Sequence, residues 1–395
     1  MPSADPTLAA SSPRPRFDAL DGLRGLAALG VLVLHVWMFS YGDQHHPSKT
    51  LLDLVLGELR LGVQLFFVLS GFLVFRPFVA AALDGRPAPR LGRYALRRAG
   101  RILPAYWVVL AASFLLMRHL DHPMQVDAGA LPAFLLFAQN QFDTTIKHLD
   151  PPMWTLAIEV SFYAALPLAG ALALRLGRHR GRQVALGLAI VALGATFTAL
   201  SAERQWPQTL STSLLPHLTE FGAGMTAAAA LHGRVLSRRT ALALGAAGAV
   251  LLAANSAWHA LGLGAQQVRS DVGDAPGIAG LVLVLTALVA STWRARLLSA
   301  GPARWLGTVS YGLYLLHFPV IVALRETGRW PDTLEQQLAA VLGIALPLSA
   351  ALWLVVERPA IRWAQRVTGG VRRAPAPARQ RTAEHPVLRL RPAER

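Results

Sequence analysis

The chain contains no cysteine. That excludes a disulfide framework, a thiolate zinc site and any covalent intermediate carried on a cysteine sulfur. Charge is also scarce: Asp, Glu, Lys and Arg make up 15% of the 395 residues, where a soluble domain holds about a quarter. Lysine is nearly missing, with Lys49 and Lys147 the only two, so the net charge of +16 is arginine charge. No internal repeat of the kind that builds many transporters is visible. The His and acidic residues show no metal-ligand spacing.

In place of charge there are apolar runs, and the mean hydropathy is +0.40. Their length predicts an all-α fold, a polytopic transmembrane helical bundle of about ten spans. The spans fall near 22–41, 61–83, 102–120, 152–174, 183–200, 209–231, 240–259, 276–293, 306–324 and 336–356. Arginines gather in the even-numbered connections, as in Arg86 to Arg101, Arg175 to Arg182, Arg234 to Arg239 and Arg294 to Arg304. Acids fall in the odd ones, and Asp84 is the only acid in an even connection. Positive charge stays in the cytoplasm, so both termini and the arginine-rich loops are expected there, in a multi-pass protein of the cell (inner or plasma) membrane. Residues 1–16 lack the pattern of a secretion signal and read as a disordered arm. Residues 17–368 form the membrane domain, and the basic, Pro-rich tail 369–395 reads as disordered. In the longest outer connection, 121–151, the apolar piece Leu131 to Phe137 is too short to span and reads as a re-entrant or interfacial helix.

Ionisable residues inside spans are costly and are candidates for function. Arg24 and His35 share the first span, eleven residues apart. That is close to three turns, so they share a face with a rise of about 16 Å. Neutral imidazole at that depth can accept the proton of an attacking hydroxyl, or it can hydrogen-bond a neighbouring helix. Arg98 and Arg101 share a helix side. They can grip a phosphorylated donor or touch anionic lipid. Glu159 and Tyr163 lie one turn apart, and Glu159 either orients a base, holds an Arg, or makes a packing hydrogen bond. Ser310, Tyr314 and His317 form a polar stripe, suited to a substrate cavity or to a helix contact. Glu220 has small neighbours and matches no motif. Glu357-Arg358-Pro359 reads as a helix terminator with a surface ion pair.

Six stretches together resemble the acyltransferase-3 family of bacterial membrane O-acyltransferases. They are Leu20 to Leu29 with His35, Gly62 to Leu73, Arg98 to Tyr106, Trp154 to Tyr163, Ser310 to His317, and Glu357 to Pro359. They occur in the family's order over about residues 17–363. The resemblance implies acyl transfer from cytoplasmic acyl-CoA, acetyl-CoA foremost, to a hydroxyl. The acceptor is a carbohydrate of the envelope or a macrolide-like secondary metabolite. Acyl-CoA is then a co-substrate, with no permanently bound cofactor, no metal and no nucleic-acid partner. His35, Arg24 and Glu159 match the catalytic positions, Arg98 and Arg101 the donor-binding ones, and Tyr163, Ser310, Tyr314 and His317 become substrate contacts. The family often has two adjacent acids where this chain has Glu159 and Val160, so paired carboxylates are not expected. Direct attack on the thioester and an acyl-enzyme relay both fit. The competing class is a transporter using intramembrane His and Glu as a proton relay.

Overall fold

A computed structural model describes residues 18–40, 50–260, 273–290 and 298–369. The expected arm 1–16 and the tail from 370 onward lie outside the described residues. The described chain is helical and contains no strand. Its helices are α1 (Asp18–Ser40), α2 (Leu51–Glu58), α3 (Leu61–Asp84), α4 (Leu91–His119), α5 (Leu131–Leu135), α6 (Trp154–Leu176) and α7 (Arg180–Arg204). They continue as α8 (Gln208–Ser211), α9 (Leu218–Leu231), α10 (Arg238–Ala260), α11 (Ala275–Ala290), α12 (Gly301–Glu326), α13 (Leu334–Leu352) and α14 (Arg358–Val367).

Among the described residues, eight helical stretches are long and apolar enough to cross a membrane. They include α1, the α2–α3 unit, α4, α6, α7, α10, α12 and the run from α13 through α14. The chain is a multi-pass membrane protein. Each of the ten expected spans overlaps a helix among the described residues, but two of those helices are short: α9 has 14 residues and α11 has 16. Residues 209–217, assigned by hydropathy to a span, hold the short α8 and a turn instead.

Local chemistry sets the ends. Thr50 opens α2 with a reciprocal capping box to Asp53, which satisfies two backbone donors. Thr333 caps α13 through the Gln336 amide. Gly85 closes α3 at φ +68°, a conformation that costs glycine little. One turn of π-helix, Trp353–Glu357, joins α13 to α14.

In a bilayer, apolar burial does not drive helix association, and close packing must. A Cβ on Gly71 would lie 2.2 Å from the Phe221 carbonyl oxygen, and one on Gly224 would lie 2.1 Å from that of Val68. Backbone contact thus locks α3 to α9. Gly307 meets the Asp21 carbonyl in the same way and locks α12 to α1. Phe67, Phe72, Phe75 and Phe221 fill the centre, and Phe162 stacks on Phe221 with ring centroids 4.0 Å apart. α7 and α10 form the outer face, with Leu188, Leu193 and Val250 exposed.

The connection 121–151 folds as short turns packed on the helix ends. The expected piece 131–137 provides only α5, a helix of 5 residues. Phe134 is buried, and its carbonyl accepts a hydrogen bond of 2.9 Å from the Tyr106 hydroxyl. Arg60, a basic residue among the acid-rich ends, is neutralised by Glu58 and Asp274.

Candidate active site

α1, α3, α4, α6 and α12 enclose an inner cavity of about 60 Å³. Arg24, Arg98, Arg101, Glu159, Tyr163, Ser310 and Tyr314 line it. Seven of the nine residues singled out from sequence therefore meet at one place. His35 and His317 do not line the cavity; they pair with each other beside it.

Arginine occupies one end. Arg24 comes from the first turns of α1, Arg98 and Arg101 from the first turns of α4. The same three side chains also line an outer groove of about 290 Å³ with Arg97, Ile361, Ala364 and Gln365. They stand between the groove and the cavity. Little opposes their charge. The Arg98 guanidinium lies over the Tyr163 ring, 5.2 Å from its centroid, an attraction of cation to aromatic face. Arg101 has one carboxylate, Glu357, at 4.0 Å. Arg24 makes no ion pair with any described residue. Clustered guanidiniums with so few counter-charges create a positive field suited to an anion.

Glu357 corrects the reading of a surface ion pair. Its exposure is 1%, and neither carboxylate oxygen accepts a hydrogen bond. The π-helical turn directs it inward toward Arg101 and Gly312. A terminator motif gives no sign of that direction.

Glu159 anchors a polar knot on the next wall. The Ser70 hydroxyl donates to its Oε1 at 2.5 Å, and the Tyr163 hydroxyl donates to the same oxygen. One carboxyl oxygen thus takes both hydroxyl donors, which fixes the side chain on this wall. Ser70 sits in a quoted stretch, but nothing in its spacing marked it. Thr155 was missed in the same way. Its Oγ1 lies 2.7 Å from the Tyr314 hydroxyl, which also reaches the Pro152 carbonyl at 3.0 Å. Ser310 lines the cavity while its hydroxyl donates to the Gly307 carbonyl at 2.9 Å. Tyr311 is fixed by a 3.0 Å bond to the Ile102 carbonyl.

At the far end, Tyr314 packs on His317, and His317 packs on His35, with ring centroids 5.8 Å and 5.0 Å apart. His317 is fully buried. Its Nδ1 lies 3.2 Å from the Leu313 carbonyl. His35 Nδ1 lies 2.8 Å from the Val31 carbonyl. Carbonyl oxygens only accept, so in the neutral pair both Nδ1 atoms carry the proton. The 3.3 Å contact from His35 Nδ1 to His317 Nε2 is then a second, shared use of the His35 proton. His35 Nε2 is left with its lone pair. The arrangement fixes a ring and a tautomer, as a general base requires.

Comparisons with known proteins give the family. The acyltransferase-domain family model matches residues 17–356, and the chain belongs to that family: it is a membrane O-acyltransferase. It is similar to the acyltransferase MdmB of Streptomyces mycarofaciens, 28% identical over 88% of this chain and 92% of that one. It also resembles the peptidoglycan O-acetyltransferase OatA of Listeria monocytogenes, 24% identical over 77% of this chain and 49% of the other. The chain thus spans about half the length of OatA and nearly all of MdmB. Nodulation protein 10 of Rhizobium leguminosarum is 24% identical over 87% of this chain and 92% of its own. No solved structure matches the chain.

Proposed function

We propose that the enzyme transfers a short acyl group from acyl-CoA to a hydroxyl on a carbohydrate or on a macrolide-like metabolite. The observation that carries the donor assignment is the cluster of Arg24, Arg98 and Arg101 between groove and cavity. CoA carries phosphates at one end and its thioester at the other. The arginines bind the phosphates, and the acyl end enters the cavity. A cavity of about 60 Å³ has the room of a few water molecules, which suits a short acyl group such as acetyl. No permanently bound cofactor is needed, since the donor is itself a substrate. The name of OatA supports a glycan acceptor. Similarity to the acyltransferase MdmB supports acyl transfer itself and leaves the metabolite as the alternative acceptor.

His35, Arg24 and Glu159 are assigned to the chemistry. His35 stands beside the cavity rather than in its wall, and its Nε2 takes the proton of an acceptor hydroxyl approaching from that side as the oxygen bonds to the thioester carbon. The tetrahedral oxyanion is met by an arginine, Arg24 being nearest in role. Collapse breaks the carbon–sulfur bond, and the CoA thiolate leaves with the proton returned from His35. Glu159, held by Ser70 and Tyr163, keeps the arginines in place. Tyr163, Ser310, Tyr314 and His317 shape the substrate space. The enzyme lies in the cell membrane with its arginine-rich helix ends and both termini in the cytoplasm, where acyl-CoA is made.

Kinetics of Arg98→Ala against acetyl-CoA test the donor assignment. Losing a charge-assisted contact worth about 1.5–3 kcal/mol should raise the KM for acetyl-CoA by about 10–100-fold with a smaller change in kcat. Arg98→Lys should recover part of the loss, since it keeps charge without the fork. An unchanged KM would remove Arg98 from donor binding.

A further inference from the structure

A second polar space lies at the opposite helix ends from the arginines. It is a cleft of about 350 Å³ between the starts of α3, α9 and α11 and the end of α7. Its size falls in the range of small-molecule sites, about 300–1,000 Å³, and far exceeds what a bare ion needs. Gln64, Thr198, Ser201, His217, Thr219 and Glu220 line it.

Three of these atoms are buried and have no partner: Gln64 Oε1, Thr219 Oγ1 and Glu220 Oε2. Glu220 is 6% exposed and Thr219 9%. Such orphans are uncommon in native proteins and call for an explanation. Neighbouring bonds fix which atoms are free. Gln64 Nε2 donates to Asp274 Oδ2 at 3.1 Å, so its amide oxygen is the end turned away. His217 Nδ1 lies 3.4 Å from Glu220 Oε1, which leaves Oε2. Asp274 itself is held by Arg60 and by Asn255, the latter at 3.2 Å. The free set is therefore an amide oxygen, a carboxyl oxygen and a hydroxyl. A ligand that fills it must present several donors.

The cleft and the inner cavity share a wall. His217 lines the cleft, Phe67 lines the cavity, and their rings are 5.3 Å apart. Trp154 packs on the same imidazole at 5.5 Å. A molecule seated in the cleft is thus separated from the inner cavity by two packed rings, His217 and Phe67, on the side away from the arginines.

We propose that this cleft binds a hydroxyl-rich glycosyl ring, its hydroxyls donating to Glu220 Oε2, Gln64 Oε1 and Thr219. Naming that ring as part of the acyl acceptor rests on the acyl-transfer reading; the binding itself does not.

Saturation-transfer NMR on the purified full chain in detergent tests it, with methyl β-D-glucopyranoside and its 2-acetamido analogue as probes. Wild type should show transfer to both or either. Glu220→Gln should weaken binding about tenfold, the scale of one charged hydrogen bond. Ala195→Trp and Ser201→Trp, which fill the cleft from the α7 wall, should each abolish it, with thermal unfolding confirming that the variants fold. Arg98→Ala should bind the probes as wild type does. No transfer to either probe, or equal transfer in wild type and in both tryptophan variants, would overturn the proposal. So would stabilisation by sodium chloride over choline chloride that disappears in Glu220→Gln, which would make the cleft an ion site. Binding that depends on the cleft in a protein that releases no CoA from acetyl-CoA would uphold the cleft and count against acyl transfer.

Discussion

Asp150 shows how a single carboxyl can be at odds with its surroundings. It precedes α6, outside the membrane-crossing stretches, and is 1% exposed with both oxygens unpartnered. Burial pushes its pKa well above the ordinary carboxylate range. A raised folded pKa means that its contribution to stability is full below the unfolded value, near pH 4, and is lost as pH rises through the folded value. Thermal unfolding of wild type should therefore fall with rising pH over that window relative to Asp150→Asn, which cannot ionise. Parallel curves for the two proteins would contradict the assignment. Legibility in the sequence differs residue by residue. Arg98 and Arg101 were readable because three-residue spacing puts them on one helix side. Arg24 and His35 share α1 as their spacing requires, yet Arg24 faces the cavity while His35 turns to His317. That pairing joins residues 282 apart in sequence, and no periodicity carries such information. Glu357, Ser70 and Thr155 were hidden for the same reason, since each acquires its role only from a neighbouring helix.

At the scale of elements, hydropathy located every long helix, because apolar length is what a bilayer selects. It failed where length is ambiguous. The segment 209–231 contains enough apolar residues for a span, but Pro207 and Pro216 interrupt the backbone ladder, and only Leu218–Leu231 remains as α9. What hydropathy does not show is how α9 is held. Gly71 and Gly224 let α3 and α9 approach until backbone meets backbone. Gly71→Leu should therefore force the helices apart, costing about 1–3 kcal/mol or more as overpacking does. The check is a lower unfolding temperature and less folded protein in detergent. Gly343→Leu, where nothing lies within 4 Å, should leave both measures near wild type. Equal behaviour of the two variants would mean that the close crossing is not what holds α9.

For the whole molecule, the two ends of the bundle carry opposite character. Arginines line the groove and cavity at one end, while Glu220, Asp274, Glu58 and the other acids collect at the opposite end. The alternation of charged connections in the sequence carries the same asymmetry, and the helices gather it into an arginine-rich end and an acid-rich end. Between them lie the inner cavity and the His35–His317 pair. A polyanionic thioester entering by the first end and a hydroxyl-rich acceptor by the second would meet within the bundle. Release of free CoA from acetyl-CoA tests it most directly, using purified wild type and His35→Ala with a crude cell extract as the acceptor source. Thiol detection suits a protein with no cysteine. Wild type should release CoA, and His35→Ala should lose about 10²–10⁴-fold of that rate, the usual contribution of a general base. Equal release by both proteins would contradict that role.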